Sequence, residues 1–193
     1  MNISCILLSA GLSERFGSPK ALAKLSDGKT VIEHLLQNLL ASSLSEIIIV
    51  LGANADQIKP VLFNHTKVRV VYNKDYLLGQ TSSFKIGLQN VSLNCQGVML
   101  LPVDYPFVKT ETLNFLIDQF ASSPHEILIP SYSNRKGHPP LFPIQLSAEF
   151  LTLDNNLGIN TVIHNHPSQD KIFPVNDSGV IKTFNTREEF ENK

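Results

Sequence analysis

The sequence has few of the features that mark secreted, membrane-bound or nucleic-acid-binding proteins. Its 193 residues include no tryptophan and two cysteines, Cys5 and Cys95, which lack the C-x-x-C spacing of a metal or redox site. Sixteen Lys and Arg residues against seventeen Asp and Glu residues give a formal net charge of -1. Because no excess of positive charge would attract polyanions, we expect neither nucleic acid nor a membrane among its partners.

Long apolar runs are also missing. No stretch approaches the roughly 18 apolar residues of a transmembrane helix, and the N-terminal MNISCILLSAG lacks the basic segment of an export signal. The two thiols are compatible with a reducing compartment, where they act as small buried hydrophobes. We therefore expect a soluble, cytoplasmic protein, and the length fits a single domain over residues 1–193.

Short apolar runs alternate with amphipathic segments along the first two thirds of the chain. Strands are predicted at 3–8, 46–51, 68–72, 97–103 and 126–130, with helices between them at 31–40, 56–63, 82–89 and 113–120. Because the strands are almost entirely apolar, they are typical of central strands covered on both faces. The pattern predicts an α/β fold with a three-layer, mostly parallel sheet.

The pattern is weaker in the last third of the chain. We predict a turn at 134–137, a short strand at 141–142, a helix at 157–164, strands at 172–175 and 180–184, and a terminal helix at 187–191.

The loop after the first strand, LSAGLSERFGSPK at 8–20, carries the clearest chemical signal. Gly11 and Gly17 would allow positive φ and let backbone N–H groups approach an anion, while Arg15 and Lys20 supply positive charge. Five residues separate the two glycines, so the loop is neither a Walker A motif nor a dinucleotide-binding G-x-G-x-x-G motif. In open α/β sheets, ligands bind beyond the carboxyl ends of the strands, where this loop would lie.

The loop fits the string L-x-[AG]-G-x-S-x-R-x-G-x-x-K, which resembles the N-terminal signature of the MobA-like nucleotidyltransferases. That family includes molybdenum cofactor cytidylyltransferases and guanylyltransferases. The resemblance implies a Rossmann-like sheet of the nucleotide-diphospho-sugar transferase type. It also implies that the loop wraps a nucleoside triphosphate, with Arg15 and Lys20 as catalytic cations on the phosphates and further nucleotide contacts from Leu8, Ser9, Ala10, Gly11 and Ser13.

Asp104 ends a strongly apolar run, where a carboxylate is costly to bury unless a cation or hydrogen-bond donors meet it. Its segment D-Y-P-F resembles the family's G-D-x-P-[FL] motif, which implies a catalytic Asp104 that binds Mg²⁺. The family's second metal ligand comes from a late D-x-D-T-P-E-D element, and Asn185 stands where its second Asp belongs. The alternatives are that Asp104 caps a helix or forms a turn, and that Asn185 and Thr186 cap the terminal helix.

Two further segments resemble family motifs. GQTSSFKIG at 79–87 is similar to G-M-x-x-S-[LI]-x-x-G, which implies that Gly79, Ser82 and Ser83 contact the nucleotide; the alternative is that the serines cap a helix. GHPPLF at 137–142 is similar to G-H-P-[VA]-L-F, which implies that Gly137 and His138 contact the acceptor. A structural role for the histidine is the alternative.

The resemblance implies transfer of a nucleotidyl group to a phosphorylated small molecule, with release of pyrophosphate. Cytidylyltransferases of the family tend towards L-A-A-G and guanylyltransferases towards L-A-G-G, so Ala10 predicts CTP. A pterin of the molybdopterin type is the expected acceptor, and a molybdoenzyme the expected protein partner. One alternative is a nucleotide- or cofactor-binding regulator or chaperone without turnover, suggested by Asn185, and another is a superfamily member acting on another phosphorylated metabolite. A third is an oxidoreductase, which the missing G-x-G-x-x-G motif disfavours.

Overall fold

A parallel sheet of apolar strands forms the centre of the protein. The computed structural model describes residues 1–192, so Lys193, the last residue of the expected domain, lies outside the described range. Strands β1 (Ile3–Ser9), β2 (Glu46–Leu51), β3 (Val68–Tyr72) and β4 (Gly97–Pro102) run parallel in the order β3-β2-β1-β4. Every residue of β1 and β2 is buried, as expected for strands covered on both faces.

The second half of the sheet is mixed. It contains β5 (Ile127–Tyr132), β6 (Arg135–Lys136), β7 (Leu141–Pro143) and β8 (Asp170–Pro174). Strand β7 lies antiparallel between β4 and β5, whereas β8 runs parallel to β5. Strand β6 pairs antiparallel with β5. In the parallel half, the strand order reverses between β1 and β4, and such a switch point leaves a crevice at the carboxyl ends of these two strands.

Helices cover both faces of the sheet. They are α1 (Val31–Ala41), α2 (Ala55–Ile58), α3 (Gln80–Leu88), α4 (Thr110–Ser122), α5 (Ser147–Thr152), α6 (Asn160–Asn165) and α7 (Arg187–Glu191). One apolar cluster joins α1 and α4 to Cys5 and Leu7 of β1, and the other joins α3, α5 and α6 to Ile6 and Leu8. Alternate residues of one strand thus face opposite layers, which confirms the predicted three-layer, mostly parallel α/β fold.

None of the helices within residues 1–192 combines the length and the apolar character needed to cross a lipid bilayer. Both cysteines are buried free thiols. Burial raises the pKa of the Cys5 thiol far above its usual range, because an apolar surrounding disfavours the thiolate.

The predicted strand at 180–184 is wrong. Residues Ser178–Ile181 form a 3-10 turn, because Asp177 fixes them over the start of α4. Its carboxylate accepts hydrogen bonds from the backbone N–H of Lys109 at 2.9 Å, from the Thr112 hydroxyl at 2.7 Å and from the Gly179 N–H at 2.8 Å. A carboxylate at a helix N-terminus satisfies donors that would otherwise lack partners, so this contact outweighs the local strand preference.

The turn predicted at 134–137 is a β-hairpin that includes β6. Ser133 and Asn134 have φ values of 48° and 61°, the left-handed pair that a two-residue hairpin turn requires. The structure also contains α5, which the sequence pattern did not predict. The predicted helix at 157–164 is confirmed as the shorter α6, and the terminal helix at 187–191 is confirmed as α7.

Helix α3 lies unusually close to β1. A Cβ added to Gly87 would come within 2.5 Å of Ile6 Cγ2 and 2.9 Å of Ile6 Cδ1. Because α3 begins beside the loop that follows β1, this close approach fixes the position of the helix relative to that loop.

We expect Gly87→Ala to lower the free energy of unfolding. Alanine would add about 1 kcal/mol of helix propensity, but inserting a methyl group against Ile6 should cost about 1–3 kcal/mol of overpacking. Urea denaturation of both proteins measures the difference. Gly158→Ala is the matched control, since nothing lies within 4 Å of a Cβ there and the backbone is not left-handed. A Gly87→Ala protein more stable than the unmodified chain would contradict this packing argument.

Candidate active site

A cleft of about 390 Å³ opens at the carboxyl ends of β1 and β4. The loop after β1 forms one wall, the start of α3 forms another, and the end of β4 forms the floor. Most of the residues predicted from the sequence line this cleft: Leu8, Ser9, Ala10, Gly11, Ser13, Arg15, Lys20, Gly79, Ser83, Asp104 and Asn185. Ser82, Gly137 and His138 lie outside its lining.

Four polar side chains meet at one end of the cleft. The Lys20 ammonium lies 3.4 Å from Asp104 Oδ2 and donates a hydrogen bond of 3.1 Å to Asn185 Oδ1. The Arg15 guanidinium donates to the same Asn185 oxygen at 3.3 Å. Residues from three distant parts of the chain therefore converge, and the sequence predicted all four.

The loop after β1 reaches this geometry differently from the prediction. Gly17 has a φ of 77°, as predicted, but Gly11 does not have a positive φ. Ser13 takes the left-handed conformation instead, with a φ of 57°, and its hydroxyl accepts a hydrogen bond of 3.3 Å from the backbone N–H of Lys20. Asn, Asp and Gly are the usual residues at such positions, so a serine there gave no recognisable signal.

An aromatic cluster docks the C-terminal segment onto the loop. Phe16 packs edge-on against Phe184 and Phe190, with ring centroids 5.4 Å and 5.8 Å apart. The Arg187 guanidinium lies 5.3 Å from the centre of the Phe16 ring and donates to the Ser18 hydroxyl at 3.2 Å. These contacts hold Asn185, which follows Phe184, beside the two cations of the loop.

Helix capping was the alternative role for Asp104 and for Asn185 and Thr186, and the structure supports it only for Thr186. Asp104 does not cap a helix, because α4 begins after Lys109 and Asp177 serves its N-terminus. Thr186 does cap α7, accepting from the Glu189 N–H at 3.2 Å. The Asn185 side chain is left for the cleft, while its backbone N–H donates to a Glu189 carboxylate oxygen at 2.6 Å.

The two serines at the start of α3 are committed to protein contacts. Asn73 donates to the hydroxyls of Ser82 and Ser83 at 2.9 Å and 3.0 Å, and the Ser82 hydroxyl donates to the Gly79 carbonyl at 2.8 Å. The residue before α3 is Gly79, and neither serine side chain caps the helix, so that alternative is wrong. Their nucleotide contacts stay a prediction, with Ser83 alone of the two at the cleft.

The cleft also contains residues that the sequence did not single out. Tyr76 and Gln80 line it on the α3 side. Tyr76 packs so close to Ala10 that Gly52 between them has no room for a side chain: its Cβ would lie 2.7 Å from Tyr76 Cβ and 2.9 Å from Ala10 Cβ. In the sequence, only the position of Tyr76, three residues before Gly79, indicated that this side chain could line the cleft.

His138 lies outside the cleft lining, behind Tyr105 and the end of β4. Its ring contacts the Tyr105 ring at a centroid distance of 4.4 Å, and Nδ1 lies 3.4 Å from the Leu100 carbonyl oxygen. Burial lowers the pKa of His138, an effect that the Leu100 contact and the Asp104 charge only partly oppose. Gly137 is equally confined, since a Cβ there would lie 2.3 Å from the Val180 carbonyl oxygen. These contacts favour the structural alternative, and acceptor binding stays a prediction.

The oxygens that could hold a metal come from Asp104 and Asn185. Within residues 1–192 there is no cluster of three or more His, Cys, Asp and Glu side chains that could hold a metal ion. Asp104 Oδ2 and Asn185 Oδ1 nevertheless both approach a single cation, the Lys20 ammonium. Carboxylate and amide oxygens are ligands that Mg²⁺ accepts, and Mg²⁺ usually keeps several waters and substrate oxygens besides. The pair therefore fits such an ion.

Comparison with known proteins identifies relatives. A family model for the MobA-like NTP transferase domain matches residues 5–171. A probable molybdenum cofactor guanylyltransferase of Rhodopirellula baltica is 28% identical over 140 residues, covering 72% of this chain and 65% of its own length. Nicotine blue oxidoreductase of Paenarthrobacter nicotinovorans is 28% identical over 174 residues, covering 86% of this chain and 83% of its own length. The chain thus spans slightly less than two thirds of the guanylyltransferase.

Solved structures share the fold. Rv0371c from Mycobacterium tuberculosis superposes with a TM-score of 0.85 and 24% identity, covering 100% of this chain and 97% of that chain. A complex of Rv0371c with manganese gives a TM-score of 0.81 with 23% identity over the same shares of the two chains.

We expect His138 to titrate below its ordinary pKa of 6.5. Because the pKa of His138 is lowered in the folded protein, the unfolded chain binds more protons near pH 6. Protonation therefore favours the unfolded chain, and the protein loses stability as the pH falls through 6.5. The Cε1 proton shift followed by NMR gives the midpoint, with His138→Gln assigning the signal. The same variant should lose less stability between pH 7 and pH 5 than the unmodified protein. A midpoint above 6.5 would show that the neighbouring Asp104 charge outweighs burial.

Proposed function

The chain belongs to the MobA-like NTP transferase family, and on that premise we propose that it transfers a nucleotidyl group from a nucleoside triphosphate to a phosphorylated acceptor. Pyrophosphate is the second product. The observation that carries the proposal is the meeting of Arg15, Lys20, Asp104 and Asn185 at one end of the cleft beside the glycine-containing loop. Two cations next to a turn of backbone N–H groups suit a polyphosphate.

The proposed reaction needs little covalent chemistry from the protein. An acceptor phosphate oxygen is already anionic, so it can attack the α-phosphorus in line without a strong general base. Arg15 and Lys20 would neutralise the charge that develops on the leaving pyrophosphate, and backbone N–H groups at 10–13 would hold the triphosphate. The requirement is thus for positioning and charge neutralisation, which the cleft residues can supply.

A divalent metal, Mg²⁺ in our proposal, would be held by Asp104 and Asn185. When bound, it supplies Lewis-acid stabilisation of phosphate oxygens. Support comes from the convergence of the two side-chain oxygens and from the manganese complex of the structural relative Rv0371c. Asp104 supplies the negative charge of the pair. Asn185 supplies a neutral oxygen, so most of the attraction for a cation depends on Asp104 and on the phosphates of the nucleotide.

CTP is the nucleotide that we propose. Ala10 is buried against Gly52 at the cleft wall, and its methyl group would leave less room for a purine beside the loop than a glycine would. Relatives named as guanylyltransferases favour GTP instead. Ser9, Ala10 and Tyr76 are the residues of this chain at which the two nucleotides would be distinguished, since all three line the cleft.

For the acceptor we propose a phosphorylated pterin of the molybdopterin type. This choice follows the names of the guanylyltransferase relatives, whose name refers to the molybdenum cofactor. A molybdoenzyme is the corresponding proposed partner. A nucleotide-binding regulator without turnover is the alternative suggested by Asn185.

A redox function is a second candidate, because nicotine blue oxidoreductase matches 86% of the chain. The loop after β1 lacks the G-x-G-x-x-G pattern that binds dinucleotides in Rossmann folds, which weighs against a nicotinamide or flavin dinucleotide. Absorbance of the purified protein tests this directly, since bound flavin absorbs visible light. Bound flavin, or oxidation of a reduced nicotinamide in its presence, would replace the transferase proposal.

We expect pyrophosphate release from CTP when Mg²⁺ and a phosphorylated pterin are present, and we expect Lys20→Ala to lower turnover by about 10²–10³-fold. The loss arises because the leaving pyrophosphate would lack one of its cations. Lys29→Ala is the control, since Lys29 forms a 3.4 Å pair with Asp27 outside the cleft lining. Unchanged turnover in Lys20→Ala would remove the loop from the phosphate site. Nucleotide binding with no pyrophosphate release from any tested acceptor would favour the regulator.

In competition binding we expect CTP to bind more tightly than GTP, because the Ala10 methyl group restricts the space for a purine. Ala10→Gly should reduce this preference and leave the affinity for the triphosphate portion unchanged. Displacement of a fluorescent nucleotide measures both proteins under the same conditions. Tighter binding of GTP by the unmodified protein would assign the chain to guanylyl transfer and leave nucleotidyl transfer intact.

A further inference from the structure

The Lys20 ammonium lies at the point where the proposed metal ligands converge. It is within 3.4 Å of Asp104 Oδ2 and 3.1 Å of Asn185 Oδ1, and its side chain is only 14% exposed. The Phe184 ring lies 5.3 Å from the ammonium and covers one side of it. The protein therefore already places a cation of its own between these two oxygens.

The ammonium between these two oxygens disfavours a second cation there. Within the hydrogen-bonded cluster, Arg15 and Lys20 contribute two positive charges against one negative charge from Asp104. Two further carboxylates keep their charge nearby: Glu189 accepts from the backbone N–H of Asn185, and the exposed Glu14 lines the cleft. A free divalent ion would have to displace an ammonium that is paired and mostly desolvated, and it would be repelled by both cations.

A triphosphate changes this balance. It offers Arg15 and Lys20 phosphate oxygens, which are stronger partners than a neutral amide oxygen. Lys20 can follow the phosphates because its ammonium ends a flexible four-carbon stem, while its backbone N–H stays bound to the Ser13 hydroxyl. Its departure would free Asp104 and Asn185.

We propose that Lys20 is the resident cation of the metal position, so that the free protein excludes divalent ions until a nucleoside triphosphate draws the ammonium away. Metal and nucleotide then bind as one unit. This inference rests on the proposed nucleotide site, but its first test requires only the metal. It also gives Asn185 a role. Its neutral amide oxygen binds the ammonium weakly enough for Lys20 to leave, whereas a second carboxylate would bind the ammonium too strongly.

Titration of the protein with Mn²⁺ alone, followed by the EPR signal of free Mn²⁺, tests the proposal. We expect weak binding by the unmodified protein and binding at least about tenfold tighter by Lys20→Met, because one unit charge is removed within a few ångström of the ion. Lys20→Arg keeps the charge and should bind as weakly as the unmodified protein. Lys29→Met removes a lysine from an exposed 3.4 Å pair with Asp27 and should have no effect.

Two further variants locate the bound ion and guard against misfolding. Lys20→Met combined with Asp104→Asn should lose the gained Mn²⁺ affinity, since Asp104 is the charged ligand of the proposed position. Lys20→Gln is a second neutral variant that should match Lys20→Met, and circular dichroism checks that each protein is folded. Equal Mn²⁺ affinity in the unmodified protein and both neutral variants would overturn the proposal, as would retained affinity in the double variant.

Metal-free CTP and GTP titrations separate this inference from the proposed function. Calorimetry should show binding of CTP to the unmodified protein and at least about tenfold weaker binding to Lys20→Met, because a phosphate partner is lost. If neither nucleotide binds to either protein with or without Mg²⁺, the proposed function fails while the Mn²⁺ comparison still decides the role of Lys20. If CTP binds but Mn²⁺ affinity does not depend on Lys20, the exclusion proposal fails and the nucleotide site stands.

Discussion

The candidate site depends on the contact between the C-terminal segment and the loop after β1. Asn185 and Arg15 are 170 residues apart in the sequence, yet their side chains are 3.3 Å apart. The aromatic packing of Phe16, Phe184 and Phe190 brings the two segments together. Aromatic pairs of this kind contribute about 0.5–1.5 kcal/mol beyond their buried area, so the polar cluster is positioned by apolar contacts outside it. Loss of that packing would separate Asn185 from the cations without altering any cleft residue.

The parts of the fold that the sequence predicted are those in which local pattern and burial agree. The bounds predicted for β2 and β3 are those of the structure, because both strands are rich in β-branched residues and are bounded by polar turns. The four polar residues of the site were likewise predictable, since each lies in a motif or at the end of an apolar strand. Their mutual contacts were not, because hydrogen bonds between distant segments leave no mark on the spacing of either segment.

Where prediction was wrong, a long-range contact outweighed a local preference. The residues after Asp177 have an apolar pattern suited to a strand, but the carboxylate binds the N-terminus of α4 and turns them into a 3-10 segment. The position of His138 also depends on a distant contact, because its ring packs against Tyr105 beside the cleft, while its contact with an acceptor stays a prediction. In both cases the deciding partner comes from an element 30 or more residues away, which periodicity cannot identify.

The neutral amide at position 185 is best understood through the charge of the whole cluster. With one carboxylate and two cations, the hydrogen-bonded cluster is matched to an anion, and its own ammonium occupies the place proposed for a metal. A carboxylate at 185 would equalise the charges and strengthen the hold on Lys20, which would oppose transfer of that ammonium to phosphate. The amide therefore lets its oxygen lie near the Asp104 carboxylate without the repulsion that a second carboxylate would add, and it leaves Lys20 free to exchange partners. Binding order and metal affinity in this site are thus two consequences of one charge balance.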